Sequence, residues 1–301
     1  AFAVPTLEKL AGAGVPIPLV VTQPDRPSGR GKKLTPPPVK MVAQRLGIPV
    51  YQPERLKAAS ARTTLAEYEG ECAVVVAYGQ IIPQHLLDLY PLGALNIHGS
   101  LLPRLRGAAP MQRSILAGER TTGISIILLD AGMDTGPVLG QRDLQIGDSE
   151  AFGSLHDRMA QEGADFLLKV LADWKGGRIA PEPQHEADAT YAPPIMKDEL
   201  RIDWSLPAAQ IVNTIRAFDP MPGAFGYLGG RRIKCFGAAL SFLRQEGQAG
   251  GVLGAGEQGL IVLAGDGIAL SIGEVQLEGQ RRISAGAFLR GHSINRDTYL
   301  E

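Results

Sequence analysis

Ala94-Leu95-Asn96-Ile97-His98-Gly99-Ser100-Leu101-Leu102-Pro103 is the stretch on which the fold turns. It begins as an apolar run of strand length. Period-two geometry places its two polar members, Asn96 and His98, on one face at the carboxyl end. A Gly-Ser pair and a Leu-Leu-Pro turn then break the run. Open α/β sheets hold their ligands at that end of a strand. Taken alone, the segment reads equally as an Asx turn beside a satisfied histidine.

The neighbouring sequence repeats the pattern. Ile17–Val21, Cys72–Val76, Ile124–Leu129 and Val138–Leu144 are further strand-like runs. Val39–Leu46, Leu56–Tyr68, Gln84–Leu89 and Ala109–Leu116 carry helical spacing between them, and Ala1 opens on another such pattern (Phe2, Val4, Leu7, Leu10, Ala11). This alternation predicts a Rossmann-like, mainly parallel sheet with helices on both faces. Ala151–Trp174 predicts a long helix with Leu155, Met159, Phe166, Val170 and Leu171 inward. Residues 175–200, with four prolines and little periodicity, read as an extended linker between domains. Beyond it come a helix over Leu206–Ala217 and short strands at Arg231–Phe236, Gly251–Leu253, Leu260–Ala264, Ile268–Ile272 and Glu274–Leu277, closed by a helix at Ser284–Arg290. Short strands between Gly-rich turns predict a small antiparallel barrel of the OB type. The expected domains are thus 1–174 and 201–301.

A length of 301 residues fits two domains, and 45% hydrophobic with 20% charged residues excludes a disordered, collagenous or charged-tail protein. The net charge of −1 advertises no nucleic-acid partner and by itself favours a small-molecule substrate. No run nears the ~20 apolar residues of a membrane span. The two cysteines, Cys72 and Cys235, have no CxxC spacing, so no disulfide or zinc site is expected and the cytoplasm is the expected compartment. No GxGxxG, GxxxxGK[ST] or HExxH occurs, which leaves the α/β half without a nucleotide or zinc fingerprint.

Two further segments carry chemistry. Asp130-Ala131-Gly132-Met133-Asp134-Thr135-Gly136 supplies two carboxylates in a glycine-rich loop. It is expected to leave the sheet at the same edge as the loop after His98. Residues 22–40 hold five basic residues against one acidic, a local +4 that leaves −5 for the rest of the chain. A long, structureless loop of this kind after a strand end suits a mobile clamp on an anionic backbone.

Together, Asn96, His98 and the Ser100–Pro110 run with Gly132–Gly136 resemble the folate-dependent formyltransferases. Gln23–Lys33, Val75–Gly79, Arg201-Ile202-Asp203-Trp204-Ser205 and Arg216-Ala217-Phe218 with Pro220 resemble the branch that acts on a charged tRNA, so the likeness spans the whole chain. The resemblance implies that 10-formyltetrahydrofolate donates a formyl group to the α-amine of methionine on initiator tRNA, for translation initiation, with no metal and in a monomer. It implies catalytic roles for Asn96, His98 and Asp134. Folate contacts fall to Ser100, Leu101, Leu102 and Pro103, and tRNA contacts to Arg30, Lys32, Lys33 and Lys197. It also implies a first strand ahead of Ala1, because family members open with a short central strand and a Gly-Thr-Pro turn. Three alternatives remain: a formyltransferase for a small amine (an amino-sugar nucleotide or glycinamide ribonucleotide), a formyltetrahydrofolate hydrolase, and a non-catalytic RNA-binding protein. The basic loop and the barrel weigh against the first, and the Asn–His–Asp set against the last.

Overall fold

The computed structural model describes residues 1–28, 31, 33–256, 259–292 and 298–301. The described chain forms two compact units. One comprises residues 1–107, 123–144 and 156–191, the other 108–122, 145–155 and 192–301. No described helix is long and apolar enough to cross a membrane.

In chain order the first unit begins with α1 (Val4–Gly12), β1 (Val20–Val21) and a hairpin of β2 (Arg26–Ser28) and β3 (Lys33–Thr35). It continues through α2 (Pro38–Arg45), β4 (Val50–Tyr51), α3 (Ala59–Ala66), β5 (Ala73–Val75), α4 (Gln84–Leu87), β6 (Ala94–His98) and the short β7 (Arg106–Gly107). β1 and β4 pair in parallel, with Leu7, Val20 and Ala43 forming the small core beneath them. β5 and β6 also pair in parallel, Ala73 opposite Ala94. All five residues of β6 are buried, as a strand covered on both faces must be.

After α5 (Pro110–Leu116), β8 (Thr121–Leu128) and β9 (Val138–Gln145) complete a four-stranded sheet of order β5-β6-β8-β9. Here the structure corrects one expectation. β8 runs antiparallel to β6, with Leu95 opposite Leu128 and His98 opposite Ser125. The Asp130–Gly136 loop therefore leaves β8 level with the start of β6, about 10 Å from His98 at ~3.3 Å per residue. The loop after His98 leaves at the opposite end. The two loops meet because they fold back, not because they share an edge. Across the sheet lies α6 (Phe152–Lys175), whose Gly163 sits so close to Ile97 that an added Cβ would lie 3.1 Å from its Cγ2. Met159, Leu167 and Val170 on this helix are buried, and Leu171 is half-buried.

A short extended piece, β10 (Tyr191–Ala192), leads to α7 (Ala208–Phe218) in the second unit, which packs on α5. The rest is a curled antiparallel sheet of β11 (Phe225–Leu228), β12 (Arg231–Arg244), β13 (Val252–Gly256), β14 (Gly259–Leu263) and β15 (Ile268–Leu277). Its order is β11-β12-β15-β14-β13, with β16 (Ile283–Ser284) on β15. The expected breaks at Phe236 and Ile272 are absent. Gly237 lies opposite Gly273, and the pair lets β12 and β15 run on through the contact. β11 escaped the sequence reading, although Gly229-Gly230 between Leu228 and Arg231, both at positive φ, is the signature of a two-residue hairpin. The last helix, α8 (Ala285–Gly291), is capped by the Ser284 hydroxyl, which accepts from Ala287 N.

Candidate active site

The carboxyl end of β6 presents Asn96 and His98 on one face, and both are buried. Around the imidazole stand two acceptors. Nε2 lies 2.9 Å from the carbonyl oxygen of Leu105, and Nδ1 lies 3.5 Å from Oδ2 of Asp134. That same carboxylate oxygen accepts from Gly107 N at 2.8 Å. The Asn96 amide makes no hydrogen bond among the described residues, so both of its N–H groups remain for a ligand. The three residues singled out from sequence thus converge within one unit.

The backbone that aims them is strained. Asp134 sits at φ 55° and Leu105 at φ 59°, left-handed conformations that cost a non-glycine residue of order 1–3 kcal/mol each. Three sets of contacts hold the Asp134 loop in place. Asp130 accepts from Gly132 N at 3.0 Å and from the Thr135 hydroxyl at 2.8 Å. At Gly136 an added Cβ would fall 1.7 Å from the Leu128 carbonyl oxygen, so only glycine fits. Finally, the Gln184 side-chain amide donates to the carbonyls of Asp134 and Gly136, at 2.7 and 2.8 Å. Arg106, only 1% exposed, donates from Nε to Gln184 Oε1 at 3.0 Å and pairs with Glu186 at 2.9 Å. Sequence reasoning missed Gln184 and gave Arg106 no role. Arg106 stood inside the quoted motif, but Gln184 lay in a proline-rich stretch with no signal of its own.

The Ser100–Pro103 loop is pinned to the sheet. Ser100 donates from its hydroxyl to Arg104 O at 2.6 Å and is buried. Ser125 donates to Ser100 O at 2.7 Å and accepts from Leu102 N at 3.0 Å. Gln141 donates to Leu102 O at 2.7 Å. Leu102 is buried, whereas Leu101 and Pro103 are half-buried; Leu101 lies over Gly123, where a Cβ would meet it at 2.3 Å. The loop is thus a rigid wall with partly open apolar side chains.

The basic segment is not structureless. β2 and β3 pair antiparallel, Arg26 opposite Thr35 and Pro27 opposite Leu34. Lys33 is exposed on β3, while Arg30 and Lys32 lie outside the described residues. Amides fix the base of this hairpin. Gln23 donates to Tyr78 O at 2.8 Å, and Gln52 donates to Gln23 O and to Asp25 at 2.9 and 2.7 Å. Lys40 reaches both oxygens of Asp25 at 2.9 Å. The Gln52 hydrogen bond, seconded by Lys40, holds the Asp25 carboxyl below its ordinary range. Lys197, in the second unit, is exposed. Among the described residues no cluster of His, Cys, Asp and Glu could hold a metal ion.

Comparison with known proteins matches this architecture in both halves. Residues 4–171 match the formyl transferase family, and residues 194–293 match the formyl transferase C-terminal domain. Among solved structures, an N-formyltransferase from Helicobacter canadensis, in complex with folinic acid and dTDP-3-aminofucose, superposes with a TM-score of 0.66 at 16% identity, covering 94% of this chain and 96% of that one. HypX from Aquifex aeolicus, in complex with tetrahydrofolic acid, gives 0.63 at 21% identity over 83% of this chain and 43% of that one. Those two likenesses speak to the fold. Curated relatives are far more similar. The methionyl-tRNA formyltransferase of Desulfotalea psychrophila is 42% identical over all of this chain and 93% of its own length. That of Pelobacter propionicus is 45% identical over 99% of this chain and 93% of its own. Identity of this order across both matched domains places the chain in the methionyl-tRNA formyltransferase family.

Proposed function

We propose that this chain transfers the formyl group of 10-formyltetrahydrofolate to the α-amine of methionine on initiator tRNA. The observation that carries the reading is the Asn96–His98–Asp134 cluster, set beside relatives that bear this activity in their names. The amine is its own nucleophile, so the chain needs only to position, stabilise charge and move protons. As the amine nitrogen attacks the formyl carbon, a C–N bond forms and the carbonyl electrons move onto oxygen. Asn96 donates to that oxyanion, joined by His98, which exchanges the Leu105 carbonyl for it; each such donor is worth about 10²–10³ in rate. Asp134 takes the amine proton, directly or through water, a service worth roughly 10²–10⁴. Collapse of the intermediate then expels N10 of the folate, which picks up a proton. Fixing two bound substrates in attack geometry supplies much of the remainder.

Ser100, Leu101, Leu102 and Pro103 form the wall for the folate, with the half-buried Leu101 packing on its flat rings and the buried Leu102 supporting the wall. Arg30, Lys32 and Lys33 of the basic segment, with Lys197, contact the tRNA, and 201–301 serves as its docking domain. The test is direct: incubation with 10-formyltetrahydrofolate and methionyl-tRNA, followed by detection of formylmethionine on the tRNA. Formyl transfer to an amino-sugar nucleotide or glycinamide ribonucleotide in place of methionyl-tRNA, or formate release without tRNA, overturns it.

A further inference from the structure

We propose that Gln184 is a positioning residue for the formyl-transfer step, holding Asp134 in its left-handed conformation through a relay that ends at Arg106 and Glu186. The inference rests on the reading of Asp134 as the proton acceptor. Asp134 at φ 55° is in the left-handed region, which aspartate enters more readily than most non-glycine residues but still at a cost, so contacts that hold it there count. The side-chain amide of Gln184 does so from both sides of the Asp134–Gly136 turn, donating to the Asp134 carbonyl at 2.7 Å and the Gly136 carbonyl at 2.8 Å.

Glutamine amides can turn over, and a turned amide would set an oxygen against those two carbonyls. Arg106 prevents this. A guanidinium only donates, so its Nε at 3.0 Å fixes the Gln184 oxygen on its own side and leaves the NH₂ for the loop. Arg106 is in turn held through Nη1 by both carboxylate oxygens of Glu186, at 3.1 and 2.9 Å. Its side chain is 1% exposed, whereas that of Glu186 is 74% exposed. The relay therefore runs from the protein surface to the backbone of the catalytic loop, entirely within one compact unit. Its two ends, Gln184 at the loop and Glu186 at the surface, come from the stretch that reads in sequence as a mere linker.

The isosteric change Gln184→Glu separates positioning from folding. It keeps a partner for Arg106 and removes both donors that face the loop. Steady-state formyl transfer from 10-formyltetrahydrofolate to methionyl-tRNA is measured on the full chain. The expected result is a fall in kcat of about 10- to 100-fold, the scale of a displacement near 1 Å, with KM for both substrates unchanged. In an Asp134→Asn background the same change is expected to add nothing, because both act through one group. Glu186→Gln, at the exposed end, leaves Arg106 a neutral acceptor in place of the carboxylate and is expected to lower kcat by about two- to fivefold, again without touching KM. Near-wild-type kcat in Gln184→Glu, a loss expressed in KM, or additive losses in the double variant overturn the proposal. If Gln184→Glu does not fold, wild-type kcat in Glu186→Gln overturns it. Normal turnover in Asp134→Asn alone overturns the reading of Asp134 and this relay with it, whereas a slow Asp134→Asn beside a normal Gln184→Glu removes only the relay.

Discussion

Gly136→Ala places a single methyl group against backbone at the far side of the catalytic loop. The ideal Cβ falls 1.7 Å from the Leu128 carbonyl oxygen and 2.9 Å from its carbon. Neither atom can yield, because Leu128 N is itself bonded to Pro137 O at 3.0 Å and Leu128 pairs with Leu95 in the sheet. The turn must therefore retreat by more than about 1 Å, which in a positioned catalytic group costs on the order of 10² in rate. The Gly136 carbonyl retreats with it and strains the Gln184 contact, so Asp134 loses its support as well as its place. Overpacking of this kind also costs about 1–3 kcal/mol of stability. Single-turnover formyl transfer with both substrates saturating, alongside a thermal melt, separates the two effects. The expected outcome is a folded protein with a lowered melting temperature, kcat down about a hundredfold and unchanged tRNA affinity. The matched control is Gly12→Ala at the end of α1, where no atom lies within 4 Å of the new Cβ. Turnover near the wild-type rate in Gly136→Ala would show that the reaction tolerates a displaced Asp134, and the positional argument would fall.

Asn96→Ala and His98→Ala are each expected to lower kcat by about 10²–10³ while tRNA binding, read by filter retention, holds. Glu199, hydrogen-bonded to Arg113 and to Met196 N, has its carboxyl held below the ordinary 4.5. A depressed folded pKa stabilises above the unfolded value and is lost as pH falls through the folded one. The melting-temperature gap between wild type and Glu199→Gln is therefore expected to be flat above that value and to close below it. Burial pushes the Cys72 thiol up to about 11 and Cys235 to about 12. Cys235, fully buried, is not expected to react promptly with an aromatic disulfide reagent at pH 8 until denaturant is added, and Cys72, half-buried with a raised thiol, is expected to react slowly. Fast labelling of Cys235 in the folded chain would contradict its burial.

Several strands and helices of the first unit were legible because their apolar periodicity is local, whereas β2 and β3 lie in a segment that reads as a structureless loop and β4 is too short to show a pattern. β6, β8, β9 and α6 match their sequence signals to within a few residues. Strand direction was not legible, since periodicity says which residues are buried and nothing of which way the chain runs. The antiparallel β8 is the result, and with it the folded-back path of Asp134. Glycines misled twice in the second unit. Gly237 and Gly273 read as strand ends but face each other inside a continuous ladder, while Gly229-Gly230, a true turn, passed unnoticed. At the site, Asn96, His98 and Asp134 stood out because rare polar residues in an apolar frame are conspicuous. Gln184 did not, because what it does depends on partners 48 and 50 positions away in the chain.

The Asp25–Lys40 pair at the base of the basic hairpin sets a stoichiometry. With Lys40 seated on both oxygens of Asp25, it has no charge to offer a phosphate, and Asp25 no longer repels one. The segment has four other basic residues in sequence, Arg26, Arg30, Lys32 and Lys33; Arg26 lies 3.7 Å from Glu54, and Arg30 and Lys32 fall outside the described residues. Each phosphate neutralised releases about 0.7–0.9 of a condensed counterion, so four such residues release at most roughly three to four ions on meeting a nucleic acid. Any steeper salt dependence of tRNA binding has to originate elsewhere on the chain.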